Sequence, residues 1–231
     1  MTEPTVLHND RQWLVLTKPA GWHCVETKNT DGRPVVESWL REQFDACREL
    51  PEAGLCHRLD LGTTGCLVVA KWRPIRERLR RAMSGDPAAR PAKKTYLALV
   101  TPGLPPVGRF ELFFSGQEAR VRTSETGQAE QQGVCRWELI RPAQTDAQSA
   151  RQFDAIEVGL IGPGRRHQIR AGLSHFGHPL VGDQTYGGAA WAHGTGWAAL
   201  HAHRITLDGT TVLAPPPEVW RLESLQPDDP S

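Results

Sequence analysis

Short runs of β-branched and other apolar residues recur along the chain and predict more strands than helices. Five runs predict strands, at Trp13–Leu16, Cys66–Ala70, Tyr96–Val100, Phe153–Leu160 and His203–Leu207. Two other stretches have apolar residues at helical spacing, Pro34–Phe44 and Ile75–Met83. Because strands and helices do not alternate strictly, the pattern favours an α+β fold with a mixed or antiparallel sheet over a doubly wound parallel one.

The chain shows no internal repeat, low-complexity tract or long linker, so one compact domain is predicted over residues 1–231. No apolar stretch approaches the length of a membrane span and no export signal is present, which predicts a cytoplasmic protein without a membrane segment. The 5 cysteines are widely spaced and form no C-x-x-C pair, a pattern typical of reduced thiols.

Charge is distributed unevenly although the chain is nearly neutral. The formal net charge of +1 excludes a uniformly basic polyanion-binding protein. The window Lys71–Tyr96 nevertheless holds nine basic and two acidic side chains, a net +7, which leaves −6 for the remainder. Such a separation is typical of one polyanion-binding face on an acidic surface, and it is equally compatible with a solvated helix face.

Polar residues precede the strand predicted at Cys66–Ala70. Gly62 and Gly65 allow the chain to turn tightly, so Asp60 is predicted to lie on a loop at the mouth of the sheet. Catalytic groups favour such loops, although an aspartate close to a glycine is also a common turn former.

The strand predicted after Lys93 places a cation and an aromatic ring on one face. Its alternation puts Lys94, Tyr96, Ala98 and Val100 together, opposite Leu97 and Leu99. The Lys94–Tyr96 pair is suited to holding a phosphate and stacking on a base. The alternative is a half-buried edge tyrosine with its lysine in water.

Glycine and proline bracket a short helix between Gly162 and Pro179. Three positions at helical spacing are predicted to face the core: Ile169, Leu173 and Phe176. A second face carries His167, Arg170 and Ser174. An arginine there is placed to pair with a carboxylate on a neighbouring loop, or to form a structural salt bridge.

The histidines suggest a metal centre. His175-x-x-His178 and His201-x-His203, with Asp60 or Asp183, resemble parts of a hydrolase site. No H-E-x-x-H motif, zinc-binding cysteine pair or glycine-rich phosphate loop is present, so no metal or nucleotide cofactor is expected.

Taken together, these segments resemble the RluA-type family of RNA pseudouridine synthases. The family motif H-R-L-D-x-x-T-S-G-L-L-L-x-A-K is similar to residues 57–71, and K-x-Y-x-A-x-V to residues 94–100. The motif G-R-T-H-Q-I-R-x-H-L-x-x-x-G-H-P-x-x-G-D-x-x-Y-G is similar to residues 164–187, K-P-x-G to residues 18–21, and L-H-A to residues 200–202. The departures are Thr64 for serine, Cys66 for leucine, Pro163 and Arg166 for threonines, and Gly172 for histidine.

The resemblance implies the pseudouridine synthase fold, an α+β fold whose mixed, mostly antiparallel central sheet has flanking helices and a central RNA-binding cleft. It implies an enzyme that isomerises specific uridines of tRNA or large-subunit rRNA to pseudouridine, by base flipping and an aspartate-dependent mechanism. A structured RNA, such as a tRNA or rRNA stem-loop, is the expected partner. No cofactor or metal is expected, and the chain is expected to be a monomeric catalytic domain without an N-terminal S4 domain.

The resemblance also implies roles for individual residues. Asp60 is expected to be the catalytic carboxylate, Tyr96 the ring against the target uracil, and Arg170 the partner that orients Asp60. Arg58 is expected to fill the space that the flipped base leaves. The basic window Lys71–Tyr96 is expected to line the cleft because it lies between two of the site motifs, not because the family assigns it that role. The remaining expected substrate contacts are His57, Thr64, Lys94, Arg165, His167 and Gln168.

Two other functions compete with this one. The first is an RNA-binding or chaperone module that has the fold without catalysis, and the second is a metal-dependent hydrolase built on the histidines. The presence of Asp60, Tyr96 and Arg170 together favours the enzyme.

Overall fold

One ten-stranded sheet organises the chain in the computed structural model, which describes residues 2–27, 30–116, 119–145, 152–191 and 197–220. The strands are β1 (Thr5–Asn9), β2 (Trp13–Lys18), β3 (Thr64–Ala70), β4 (Lys93–Val100), β5 (Val107–Ser115), β6 (Arg122–Ser124), β7 (Gln132–Thr145), β8 (Gln152–Ile161), β9 (Leu200–Leu207) and β10 (Thr210–Leu213). The α-helices of these ranges are α1 (Val36–Gln43), α2 (Arg73–Ser84) and α3 (Gln168–His175). None of them is both long and apolar enough to cross a membrane.

The strand order is β1-β2-β3-β9-β4-β8-β7-β5-β6, and β10 pairs with β9. Neighbouring strands are antiparallel, except that β3 runs parallel to β9, where Thr64 lies opposite His201. The predicted α+β class with a mixed, mostly antiparallel sheet is therefore confirmed.

The five strands predicted from apolar runs correspond to β2, β3, β4, β8 and β9, and both predicted helices are present as α1 and α2. Strand β5 was not predicted although Phe110, Leu112 and Phe114 alternate into the core, whereas β1 and β7 carry weaker patterns. β1 is mostly exposed, and β7 shifts register against β8 around Arg141, which interrupts its alternation. Edge and bulged strands bury fewer side chains, so an apolar pattern alone does not reveal them.

The sheet is covered on both faces. Leu14 of β2 and Leu67 of β3 pack with α1, whereas the adjacent residues Val15 and Val68 point into the larger core that also contains Leu79 of α2. This division follows from the twofold periodicity of strands, which turns successive side chains to opposite faces. The site described below lies where β3 and β4 begin.

Helix α3 confirms two of its three predicted core positions. Ile169 and Leu173 are buried, but Phe176 is 46% exposed, so the prediction for this residue is wrong. The helix ends at His175, and Phe176 leaves helical geometry, which turns its ring toward the surface. Gly172 has a packing role, because a Cβ atom there would lie 2.6 Å from Cε2 of Phe110.

All five cysteines are buried free thiols, as the sequence predicted for a chain without a disulfide framework. Burial raises the pKa of Cys56 and Cys66 to about 12, so both remain protonated in the core.

Candidate active site

A cavity of about 460 Å³ opens between the loop before β3, the start of β4 and the start of α3. Its charged lining residues in the described part of the chain are five cations and one carboxylate: Arg58, Lys94, Arg165, Arg166, Arg170 and Asp60. Asp60 lies on the predicted loop, with its side chain 33% exposed. Such a cavity suits an anionic ligand that presents its reacting part to a single carboxylate.

Lys18 holds the backbone next to Asp60. Its side chain is fully buried, and burial lowers its pKa to about 8. The ammonium group donates to three backbone carbonyl oxygens, those of Pro19, Trp22 and Leu61, at 2.9–3.0 Å. Because Leu61 follows Asp60 directly, this buried cation fixes one side of the loop.

Cys24 holds the other side of Asp60. The Leu59 N–H group donates to Sγ of Cys24 at 3.2 Å, and the thiol donates back to the Leu59 carbonyl at 3.3 Å. Burial raises the pKa of Cys24, which keeps the thiol protonated for this second bond. The backbone on both sides of Asp60 is thus anchored.

The predicted tight turn is present at Gly62, where the Thr63 N–H group donates to the Asp60 carbonyl oxygen at 3.0 Å, but Gly65 lies outside that turn. Gly65 lies inside β3 with φ +106°, and a Cβ atom there would overlap the backbone of Ala202 in β9. Gly62 faces the ring of Trp197. Both allow close approach of another segment, which positions the loop indirectly.

Arg170 joins two carboxylates. Its Nη1 donates to Oδ2 of Asp60 at 2.9 Å, and Nε and Nη2 donate to the two oxygens of Asp183 at 2.7 and 2.9 Å. Burial opposes the charge of Arg170, but hydrogen bonds and charges from Asp183 and Asp60 outweigh it and hold the pKa above its ordinary value. The predicted Asp60–Arg170 pairing is present, and Asp183 fixes the guanidinium from behind.

His167 precedes α3 in a left-handed conformation with φ 53°. Its Nδ1 lies 2.9 Å from Oη of Tyr186, and its Nε2 lies 3.6 Å from Oδ2 of Asp60. Ser174 donates to the Tyr186 carbonyl oxygen, and the Arg170 guanidinium lies 5.3 Å from the centre of the Tyr186 ring. The predicted shared face of His167, Arg170 and Ser174 is therefore real, and Tyr186 is what its three side chains contact.

Tyr96 and Lys94 both line the cavity from β4, as the alternation predicted. β4 is an interior strand between β9 and β8, so the alternative of an edge tyrosine is wrong. Burial raises the pKa of Tyr96, which keeps the phenol protonated, and lowers the pKa of Lys94 to about 8. The Lys94 ammonium donates to the Met83 carbonyl oxygen at 2.8 Å.

Three predicted substrate contacts are engaged with the protein itself. Thr64 is not among the lining residues, and its Oγ1 lies 2.7 Å from Nδ1 of His201. His57 borders the cavity, but its Nε2 accepts from the Val68 N–H group, and burial lowers its pKa to about 3. These two side chains tie the loop to β3 and β9.

Gln168 is the third predicted substrate contact that binds the protein itself. Its Oε1 accepts from the Arg165 N–H group at 2.7 Å, and its Nε2 donates to the Val134 carbonyl oxygen at 3.0 Å. The amide thereby holds the start of α3 against β7. Arg165 lines the cavity while its Nε donates to the Gln132 carbonyl oxygen, and the exposed Arg58 lines it on the loop side.

The basic window does not line the cleft as predicted. Of its charged residues only Lys94 reaches the cavity wall in the described part of the chain. Four arginines of α2 instead pair with acidic side chains: Arg76 and Arg80 with Glu52, Arg78 with Asp208, and Arg81 with Asp86. Two of these partners, Glu52 and Asp208, lie outside the window, so counting charge along it overlooked them.

The two histidine pairs do not converge on a metal site in the structure. His201 and His203 both contact the Ala214 carbonyl oxygen, at 3.1 and 2.8 Å. His175 contacts Thr123, and His178 contacts the Thr101 carbonyl oxygen. Within the ranges that the structure describes, no three His, Cys, Asp or Glu side chains form a group able to hold a metal ion.

Three residues of the site received no role from the sequence, namely Lys18, Cys24 and Tyr186, and Asp183 was named only as a candidate metal ligand. Lys18 lies in the K-P-x-G segment, and Asp183 and Tyr186 lie three residues apart in the stretch after α3. Their positions inside the family motifs are the sequence feature that points to a role for them in the site. Cys24 had none, because its contact with Leu59 joins segments 35 residues apart.

Comparison with known proteins gives concordant matches. A family model described as RNA pseudouridylate synthase matches residues 12–175. The chain is 34% identical over 186 residues to ribosomal large subunit pseudouridine synthase D of Yersinia pestis, covering 79% of this chain and 52% of the relative. It is 29% identical over 231 residues to the protein of that name from Nitrosomonas europaea, covering 96% and 58%. The chain thus spans little more than half the length of these curated relatives.

Solved structures share the fold. Human RNA Pseudouridylate Synthase Domain Containing 4 superposes with a TM-score of 0.69 at 19% identity, covering 95% of this chain and 91% of that one. Human RNA Pseudouridylate Synthase Domain Containing 1 gives a TM-score of 0.64, also at 19% identity, covering 93% and 83%.

Proposed function

This chain belongs to the RNA pseudouridylate synthase family, and from that premise we propose that it isomerises uridine to pseudouridine in a structured RNA, with Asp60 as the catalytic carboxylate. The observation that carries the proposal is the Asp60–Arg170 pair at the wall of a cation-lined cavity, with Tyr96 on the same wall. Large-subunit rRNA is the first substrate class to test, because the relatives are named for it.

The proposed reaction needs few chemical groups. The N1–C1′ bond of uridine breaks, the uracil rotates, and C5 bonds to C1′ while the C5 proton leaves and N1 gains a proton. A carboxylate beside the ribose and a closed pocket that retains the free base suffice, and no redox step occurs. Asp60 supplies the carboxylate, and Arg170 keeps it oriented through the 2.9 Å hydrogen bond.

Tyr96 is proposed to lie against the uracil. Its ring forms part of the cavity wall, and burial keeps its hydroxyl protonated. A protonated phenol stacks on the base and is available as a hydrogen-bond partner during proton exchange at C5. Arg58, which is exposed two residues before Asp60, is proposed to occupy the position that the flipped uridine leaves.

The charge of the cavity supports an RNA substrate over a neutral small molecule. Its described wall carries five cations against one carboxylate. Phosphates on either side of a flipped nucleotide are the anions that such a wall attracts, and their binding weakens as salt rises. The metal-dependent hydrolase lacks a comparable supporting arrangement in the described residues, because His201 contacts Thr64 and the Ala214 carbonyl oxygen, and His203 contacts the same carbonyl.

Tritium release tests the proposal. The full chain is incubated with rRNA and tRNA transcripts carrying [5-³H]uridine, with and without EDTA. We expect release that EDTA does not affect, and loss on the order of 10²- to 10⁴-fold in Asp60→Asn. Asp86→Asn is the matched control, because Asp86 also pairs with an arginine, Arg81 at 2.7 Å, outside the cavity.

The competing functions give different results. RNA binding without tritium release from any transcript would indicate a binding module, and release abolished by EDTA would indicate metal-dependent chemistry. Equal activity of Asp60→Asn and Asp86→Asn would remove Asp60 from the mechanism.

A further inference from the structure

His167 and Arg170 contact the same oxygen of Asp60. Arg170 donates to Oδ2 at 2.9 Å, and Nε2 of His167 lies 3.6 Å from that atom. The His167 side chain is only 9% exposed. Since both contacts from the described residues fall on Oδ2, Oδ1 is the oxygen that remains for a substrate.

The hydrogen bonds of Tyr186 determine which ring nitrogen of His167 carries the proton. Oη of Tyr186 accepts from the Val121 N–H group at 2.8 Å and lies 2.9 Å from Nδ1 of His167. A phenol has one proton to donate, and Nδ1 is the acceptor that these contacts offer it. Nδ1 is then unprotonated, and in a neutral ring the proton is on Nε2, facing Asp60.

The opposite tautomer is unfavourable. A proton on Nδ1 would leave the Nε2 lone pair facing the Oδ2 lone pairs, and the Tyr186 hydroxyl would lose His167 as an acceptor. A doubly protonated ring is opposed by burial, the main cause that lowers the His167 pKa, and by Arg170 and Arg166, although Asp60 and Asp183 favour the charge. His167 is therefore neutral near pH 7.

We propose that His167 is a positioning residue for Asp60: as a neutral imidazole protonated on Nε2, with its tautomer set by Tyr186, it helps Arg170 to hold one carboxylate oxygen and leaves the other for the ribose. The catalytic meaning of this proposal rests on the proposed function. The His167 tautomer and its coupling to Asp60 do not depend on the proposed function.

The backbone at residue 167 favours a clean test. Its φ of 53° is left-handed, a conformation that asparagine tolerates well among non-glycine residues. Asparagine places its amide near the Nδ1 position and keeps the Tyr186 contact, whereas glutamine reaches the Nε2 position and keeps a donor for Asp60. The two substitutions therefore separate anchoring to Tyr186 from positioning of Asp60.

NMR of ¹⁵N-histidine-labelled protein tests the tautomer without any activity assay. The His167 signals, assigned by their loss in His167→Gln, should show the Nε2-protonated neutral ring at pH 7.5. Tyr186→Phe should raise the Nδ1-protonated fraction, and Asp60→Asn should lower the His167 pKa further, because the Asp60 charge favours imidazolium. A predominantly Nδ1-protonated or charged ring at pH 7.5 would overturn the proposal.

Kinetics test the positioning role. The turnover number for tritium release should fall about 10- to 100-fold in His167→Asn, and His167→Gln should restore at least about tenfold of that loss. His8→Asn and His8→Gln are matched controls, because His8 also contacts an aspartate, Asp10 at 3.2 Å, outside the cavity. Circular dichroism and melting curves check that each variant is folded.

The outcomes separate the two proposals. Equal activities of folded His167→Asn and His167→Gln, or full activity of His167→Asn, would exclude a positioning role. Absence of tritium release in the wild-type chain would defeat the proposed function, while the NMR measurements would still decide whether His167 donates to Asp60. If His167→Asn fails to fold, the proposal is tested by the NMR tautomer of His167 in the wild-type chain and by the change of its pKa in Asp60→Asn.

Discussion

Nη1 of Arg170 lies 2.9 Å from Oδ2 of Asp60, although the two residues are 110 positions apart in the chain. The same guanidinium binds Asp183, whose side chain is 1% exposed against 33% for Asp60. The cation therefore has one partner in the interior and one at the cavity. This asymmetry separates a structural carboxylate from a reactive one.

Asp183→Asn and Asp60→Asn should affect different properties. Removing the buried charge of Asp183 breaks a buried ion pair, so the free energy of unfolding should fall by about 3–5 kcal/mol. Asp60 is partly exposed, and its substitution should change stability by less than about 1 kcal/mol while abolishing activity. Urea unfolding together with tritium release measures both. Equal stability losses in the two variants would contradict this assignment.

Gly172→Ala should destabilise the protein by about 1–3 kcal/mol, because the new methyl group would overlap the Phe110 ring. The shape of the ring is the cause, so the penalty should largely disappear when the same change is made in a Phe110→Leu background. A double-mutant cycle from thermal or urea unfolding isolates the interaction. An unchanged Gly172→Ala penalty in that background would point to the helix backbone instead.

Arg58→Ala should weaken RNA binding. It should also lower the magnitude of the slope of log affinity against log salt concentration by about 1, the change expected when one cationic contact with RNA is lost. Arg78, Arg80 and Arg81 pair with carboxylates outside the cavity, so changing all three to Ala should leave the slope nearly unchanged. Filter binding of one transcript over a salt series makes the comparison. A larger slope change in the triple variant would restore the original prediction for the basic window.

Lys94 should make RNA affinity depend on pH. Burial lowers its pKa to about 8, so the ammonium charge is present at pH 7 and is mostly lost by pH 9. Affinity for an anionic backbone should therefore fall as pH rises through about 8, by roughly 3- to 10-fold for one lost contact. Lys94→Arg stays charged over this range and should lack the step. An equal fall in both proteins, measured at constant ionic strength, would exclude Lys94 as its source.

The same Lys94 pKa has a consequence for stability. The folded-state value lies below the ordinary lysine value of 10.5, so the unfolded chain binds more protons between about pH 8 and 10.5. The contribution of Lys94 therefore makes the folded state more stable as pH rises through that window. RNA affinity and this contribution to stability change in opposite directions.

Sequence patterns predicted five of the interior strands, β2, β3, β4, β8 and β9, because their side chains are sorted by burial. On β4, Tyr96 and Val100 belong to one core and Leu97 and Leu99 to another, as a period of two requires. The same reasoning wrongly predicted a buried Phe176, because the apolar spacing continues past the residue at which α3 ends.

The sequence identified the residues of the candidate site more reliably than it identified their roles. Asp60, Tyr96, Arg170 and Lys94 were identified and all line the cavity. Thr64 and Gln168 were assigned to the substrate, yet their polar groups bind His201 and the backbone around β7. A polar residue inside a motif looks the same in sequence whether its partner is a ligand or the protein.

By itself the sequence determined the fold class, the loop that carries Asp60, the shared face of Lys94 and Tyr96, and the family motifs, because periodicity and turn-forming residues act over a few neighbouring positions. Only the tertiary structure decided which charges meet. It paired the arginines of α2 with Glu52, Asp86 and Asp208, and it placed Arg170 and His167 on the same oxygen of Asp60. Ion pairs and hydrogen bonds depend on distances of a few ångströms between segments that are remote in the chain, and only the packed sheet sets those distances.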